Sequence, residues 1–135
     1  MDKLAFSANI EHGNKVIGLQ LSVYSFKEDE SYIVYCPALD LSSYGTTENH
    51  ARKSFEEILE ITLKYMINKN TLIEDLQKHG WQIKSLKQKR IKSPSVEQMI
   101  HSNKVLRYIL DKKEYRKYNQ QINIPGLVTH EYPKT

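Results

Sequence analysis

Between Tyr32 and Ile67 the chain passes without a break through a short apolar strand, a proline turn, a glycine–threonine step and a long amphipathic helix. Few architectures accept that succession. The helix carries an apolar stripe, and a strand just before it supplies a sheet on which the stripe can be buried. The stripe is Ala51, Phe55, Ile58, Leu59, Thr62 and Met66, spaced by three and four. Thr46 or Thr47 can cap the helix, and Glu48 suits the positive end of its dipole. Asn68-Lys69-Asn70 ends it. Before it, Cys36-Pro37 opens a polar turn that crosses to Tyr44-Gly45.

The flanking segments complete an α+β pattern. Residues 3–10 and 16–26 alternate apolar and polar side chains, and residues 32–36 are mostly apolar. His12-Gly13-Asn14 and the charged run 27–31 read as turns, so these strands form a three-stranded antiparallel meander. After the long helix, Thr71 to Glu74 fits a capping box for a short helix that stops at His79-Gly80. Trp81-Gln82-Ile83 begins a further strand, and residues 84–92 read as a linker or strand. Ser93-Pro94 suits a helix start, with Pro at the first helical position. One or two short helices and a last strand near 118–124 then follow. The expected organisation is an α+β domain over 1–83 and a basic helical and strand extension over 84–135, appended or part of the same unit.

The 135 residues suit one domain, and 39% apolar content supports a modest core. No apolar run approaches the ~18 residues of a membrane helix. The first residues show no signal-peptide pattern, and one cysteine cannot form an intrachain disulfide. The expectation is a soluble cytoplasmic protein. Charge is unevenly spread. Residues 1–80 hold 8 basic and 12 acidic side chains, and residues 81–135 hold 12 and 4. An acidic part can face a basic protein and a basic part nucleic acid, or one face of a compact fold is simply basic.

Candidate chemistry is sparse. Glu56, Glu57 and Glu60 lie on the long helix, but flanking an apolar stripe they read as a solvated face, not an acid–base pair. The five histidines, at 12, 50, 79, 101 and 130, have no metal-ligand spacing. Cys36 sits at a strand end without a helix N-terminus beside it and reads as packing. No glycine-rich phosphate loop occurs. No catalytic residue, metal or cofactor is therefore expected. The positive signal is basic: Lys84, Lys87, Lys89, Arg90 and Lys92, then Arg107, Lys112, Lys113, Arg116 and Lys117, interleaved with tyrosines. Such side chains suit phosphate contacts, although solvated lysines also occur on proteins that touch no nucleic acid.

Four pieces together resemble the HicB antitoxin family. Tyr32-Ile33-Val34-Tyr35 is similar to its third strand, and Cys36-Pro37-Ala38-Leu39-Asp40-Leu41 to its Pro-x-Leu turn. Gly45-Thr46-Thr47 is similar to its Gly-x-Thr step, and Ala51 through Ser54-Phe55 to its Ala-led helix start. The resemblance covers about residues 19–83, roughly half of the chain, and rests on order and spacing. Ser42-Ser43 stands where a second turn glycine is usual, and residues 93–135 match neither a helix-turn-helix nor a ribbon-helix-helix. The resemblance implies a degenerate ribonuclease-H-like fold without nuclease activity. It also implies stoichiometric neutralisation of a small, basic, HicA-type RNA-cleaving toxin, homo-oligomerisation and repression of its own operon through operator DNA. A stand-alone nucleic-acid-binding regulator without a toxin is the alternative. Asp40, Glu48, Glu56, Glu57 and Glu60 are the acidic side chains that could steer a basic toxin.

Overall fold

The computed structural model describes residues 16–86 and 88–125. The strand expected at 3–10 lies outside them. The described residues form an α+β fold whose main sheet is four-stranded and antiparallel, in the order β3-β2-β1-β6. Its strands are β1 (Val16–Glu28), β2 (Ser31–Cys36), β3 (Leu41–Gly45) and β6 (Tyr115–Pro125). The helices are α1 (Glu48–Asn68), α2 (Leu72–Lys78), α3 (Val96–Ser102) and α4 (Lys104–Lys112). A separate two-stranded hairpin joins β4 (Gln82–Ser85) to β5 (Arg90–Lys92).

The turn expected between Cys36 and Gly45 is shorter than the sequence suggested. Only Pro37–Asp40 turns, with Leu39 N–H donating to Cys36 O at 3.2 Å, and the chain then pairs back along β2 as β3. Asp40 takes φ of 51°, a left-handed conformation that Asp tolerates. The polar look of Ser42 and Ser43 hid a strand. Ser42 is exposed, whereas Ser43 turns inward and donates its hydroxyl to Ala51 O at 2.8 Å.

Both sheet faces are covered. Val23, Ser25, Val34 and Ser43 share one face, on which Ser25 Oγ donates to Glu48 at 2.7 Å and Ser43 meets Ala51. That face carries α1. Tyr24, Phe26 and Tyr35 share the other, where Asn103 Nδ2 donates to the Tyr35 hydroxyl at 3.0 Å and Lys113 Nζ stands 6.0 Å from the Phe26 ring. That face carries α3 and α4. Burial on both sides explains why Val23 to Phe26 are all buried in a strand read as alternating.

Thr47 caps α1, its hydroxyl accepting from His50 N–H at 3.0 Å. The buried stripe is Ala51, Phe55, Leu59, Leu63 and Met66. Thr62, expected within it, is only half-buried, as is Ile58. The capping box expected at Thr71 does not form, because the Thr71 side chain makes no capping bond. One forms instead at Ser95, whose hydroxyl accepts from Gln98 N–H while the Gln98 amide accepts from Ser95 N–H. Pro94 therefore precedes the cap and is not the first helical residue. The expected stop at His79-Gly80 holds, with Gly80 at φ +92°.

Beyond α1, α2 and Trp81 carry the chain around one end of the sheet, where Trp81 Nε1–H donates to Ala38 O at 2.8 Å. The strand expected at 81–83 is β4, but it pairs with β5 and not with the main sheet, so the linker reading of 84–92 is replaced by a hairpin. α3 and α4 then cross the opposite face, and β6 runs antiparallel to β1 along nearly the whole of that strand. A single helical crossover after β3 would bring a strand back parallel to β1. The extra reversal made by the hairpin and α3–α4 inverts it. Leu106, Ile109, Ile122 and Ile124, all from the basic C-terminal part, belong to the same buried cluster as Val23, Val34 and Phe55.

Candidate functional site

The acidic side chains do not converge. Asp40 sits on the β2–β3 turn and accepts the Tyr35 hydroxyl proton at 2.7 Å, which ties it to the α3–α4 side through Asn103. Glu48 lies at the start of α1 on the other face. It accepts from Ser25, faces Arg116 at 3.6 Å and Arg52 at 3.9 Å, and is thus largely satisfied within the chain. Glu60 is half-buried, with Oε2 enclosed. Glu56 and Glu57 are exposed. Only these two of the five carboxylates are openly presented on α1.

Two side chains beside them were not singled out by sequence reasoning. Ile61 and Tyr65 are 66% and 60% exposed on α1, one turn apart and in line with Glu57. Their sequence signal was that both fall off the apolar stripe. Tyr44, on edge strand β3, is 74% exposed.

The basic side chains separate into two groups. Several on the α3–β6 side are engaged by neighbouring groups of the chain. Arg107 Nη1 donates to Ile100 O at 2.6 Å and His101 O at 3.1 Å, closing the end of α3. Lys113 pairs with Glu28 at 3.3 Å and stands 5.7 Å from the Tyr108 ring, while Arg116 pairs with Glu48. Lys112 and Lys117 are exposed. The second group is the hairpin: Lys84, Lys89, Arg90 and Lys92 are exposed and make no ion pair among the described residues. Lys87 lies outside the described residues.

The Cys36 thiol is buried, and burial pushes its pKa up to about 12. It stays protonated at neutral pH and is a poor nucleophile. Burial also raises the phenols of Tyr24, Tyr35 and Tyr118. A cleft of about 700 Å³ opens between the Pro37–Asp40 turn, the end of α2 and the α3–α4 junction, with Asp40, His79 and Lys104 in its lining. His79 Nδ1 is engaged with Asp75 O at 2.9 Å, at the end of α2. Among the described residues no group of three or more His, Cys, Asp or Glu is placed to hold a metal ion, and no helix is long and apolar enough to cross a membrane.

No family model, no curated protein and no solved structure matches the chain.

Proposed function

We propose that the chain is a HicB-like antitoxin that neutralises a small, basic, RNA-cleaving toxin by covering its active surface, and that it represses its own operon. What supports the reading is that the residues carrying the resemblance work as one physical unit. The Pro37–Asp40 turn closes the β2–β3 hairpin, and Thr47 caps α1. Gly45 lets β3 pass so close to the first turn of α1 that a Cβ there would lie 2.7 Å from Ala51 N. The order and spacing of Pro, Gly, Thr and Ala thus have a structural cause. In this reading the fold is a degenerate ribonuclease-H-like one, extended by α3, α4 and β6, and the protein acts in the cytoplasm as a homo-oligomer.

The toxin would meet the outer face of α1. Ile61 and Tyr65 offer apolar and aromatic anchors of the kind that dominate interfaces, and Glu56 and Glu57 offer charge that attracts a basic partner. The test is co-expression with the small basic protein encoded by the neighbouring reading frame. Growth arrest by that protein should be relieved, and the two chains should co-elute. Ile61→Asp with Tyr65→Asp should weaken the complex at least tenfold, the loss of about 1.4 kcal/mol of contact. Toxicity and RNA cleavage that persist at an excess of this chain would end the reading.

The hairpin cations, which make no ion pair among the described residues, favour a second reading, in which the chain is a nucleic-acid-binding regulator without a toxin.

A further inference from the structure

We propose that the β4–β5 hairpin is a DNA-reading ribbon whose outward face enters the major groove of duplex DNA. Lys84, Lys89 and Lys92 would hold phosphates, and Gln82 and Arg90 would reach base edges. The inference deepens the operator-binding part of the function proposed above and does not need the toxin.

Four observations meet at this element. Its outward side chains are Gln82, Lys84, Arg90 and Lys92, with Gln82 directly opposite Lys92. All are long, polar and exposed, and none is acidic. Plain alternation along β4 places Lys84 outward with Gln82, and a bulge between Ile83 and Ser85 sets two residues of β4 against Arg90. The inward side chains, Ile83 and Ile91, pack on the core, and Trp81 and Leu86 on either side of β4 are buried. At the end of the hairpin, Lys89 N–H donates to Leu86 O at 3.0 Å and Gln88 N–H donates to Ser85 Oγ at 3.1 Å. The backbone of the two strands is therefore set before binding, and the ordering cost falls on the outward side chains.

Dimensions select the ligand. Two strands about 4.8 Å apart make a ribbon that fits a major groove about 12 Å wide. The deep, narrow major groove of A-form RNA excludes it. Arginine pairs bidentately with guanine and glutamine with adenine, so Arg90 and Gln82 have the chemistry for reading, and the lysines that for holding.

The experiment titrates the full chain against three probes at several salt concentrations. They are a duplex from the DNA preceding its own reading frame, an unrelated DNA duplex of equal length, and the first sequence as an RNA duplex. Own-sequence DNA should bind best and RNA worst. K84A/K89A/K92A should make the log–log salt slope shallower by about 0.9 per lost phosphate contact, so by roughly 2.7 for the three. Gln82→Ala should keep the slope and reduce the preference for own-sequence DNA about tenfold. K112A/K117A, exposed elsewhere, should leave slope and preference unchanged. Thermal midpoints equal to that of the unmodified chain establish that each variant is folded. An unaltered slope in the triple variant, equal binding of RNA, or no binding to DNA at low salt would overturn the ribbon. Toxin neutralisation retained by the triple variant would leave the antitoxin reading standing in each of those cases.

Discussion

Gly45 shows how one missing atom can set the approach of a helix. Its neighbours across the gap are Ala51 N at 2.7 Å, and His50 C and Cβ at 3.0 Å from where a Cβ would sit, most of them backbone. Backbone in the first turn of a capped helix cannot swing aside as a flexible side chain can. Gly45→Ala should therefore displace the start of α1 and cost about 1–3 kcal/mol, the usual penalty of overpacking. Urea denaturation measures it, and an unchanged midpoint would show that the first turn of α1 yields freely. The residue was legible in sequence as a helix-start glycine. What was not legible is that the same contact places Ser43 against Ala51 O, because that requires knowing that residues 41–45 are a strand.

At the scale of elements, α1 separates what periodicity can and cannot determine. A spacing of 3.6 leaves the fourth turn of a stripe undecided between adjacent positions, here Thr62 and Leu63. The structure buries Leu63 to 2% exposure and leaves Thr62 half-buried. Leu63→Ala should cost about 2–5 kcal/mol. Thr62→Ala should stay within about half a kcal/mol. Equal losses at the two positions, read from chemical denaturation, would mean that α1 is rotated about its axis. Other elements were left open or misread for related reasons. Residues 84–92 read as a linker or a strand because lysines dominate them, and the strand alternative holds, with Ile83 and Ile91 sufficing to seat a hairpin. The acidic set looked like one surface because linear charge counting ignores that Asp40 and Glu48 point to opposite sides of the sheet.

Across the whole molecule, burial of polar aromatics makes stability depend on alkaline pH. Tyr24, Tyr35, Tyr118 and Cys36 all have raised pKa values, with burial the leading cause, and those of Tyr118 and Cys36 reach about 12. In the unfolded chain the thiol ionises near 9.0 and the phenols near 10.0. Between those values and the folded ones, the unfolded chain has released protons that the folded chain still holds. Stability is then fully present below about pH 8 and falls as pH rises toward about 12. Urea midpoints measured from neutral pH upward should drop through that window. A flat profile would mean that these groups are open to water in the native protein.

The pairing of β6 with β1 also has a consequence in time. Phe26 meets Tyr115, and Ile17 meets Ile124. On the ribosome, at about 5–20 residues per second, a separation of ~100 residues delays the partner of β1 by about 5–20 s. During that interval, among the described residues, β1 has β2 beside only its C-terminal half, and the hydrogen-bonding edge that β6 will occupy has no described partner. A β6 from another newly made chain would fit that edge as well as the chain's own. Synthesis from crowded polysomes should thus yield a share of strand-exchanged dimers, whereas slow refolding of dilute protein should yield none.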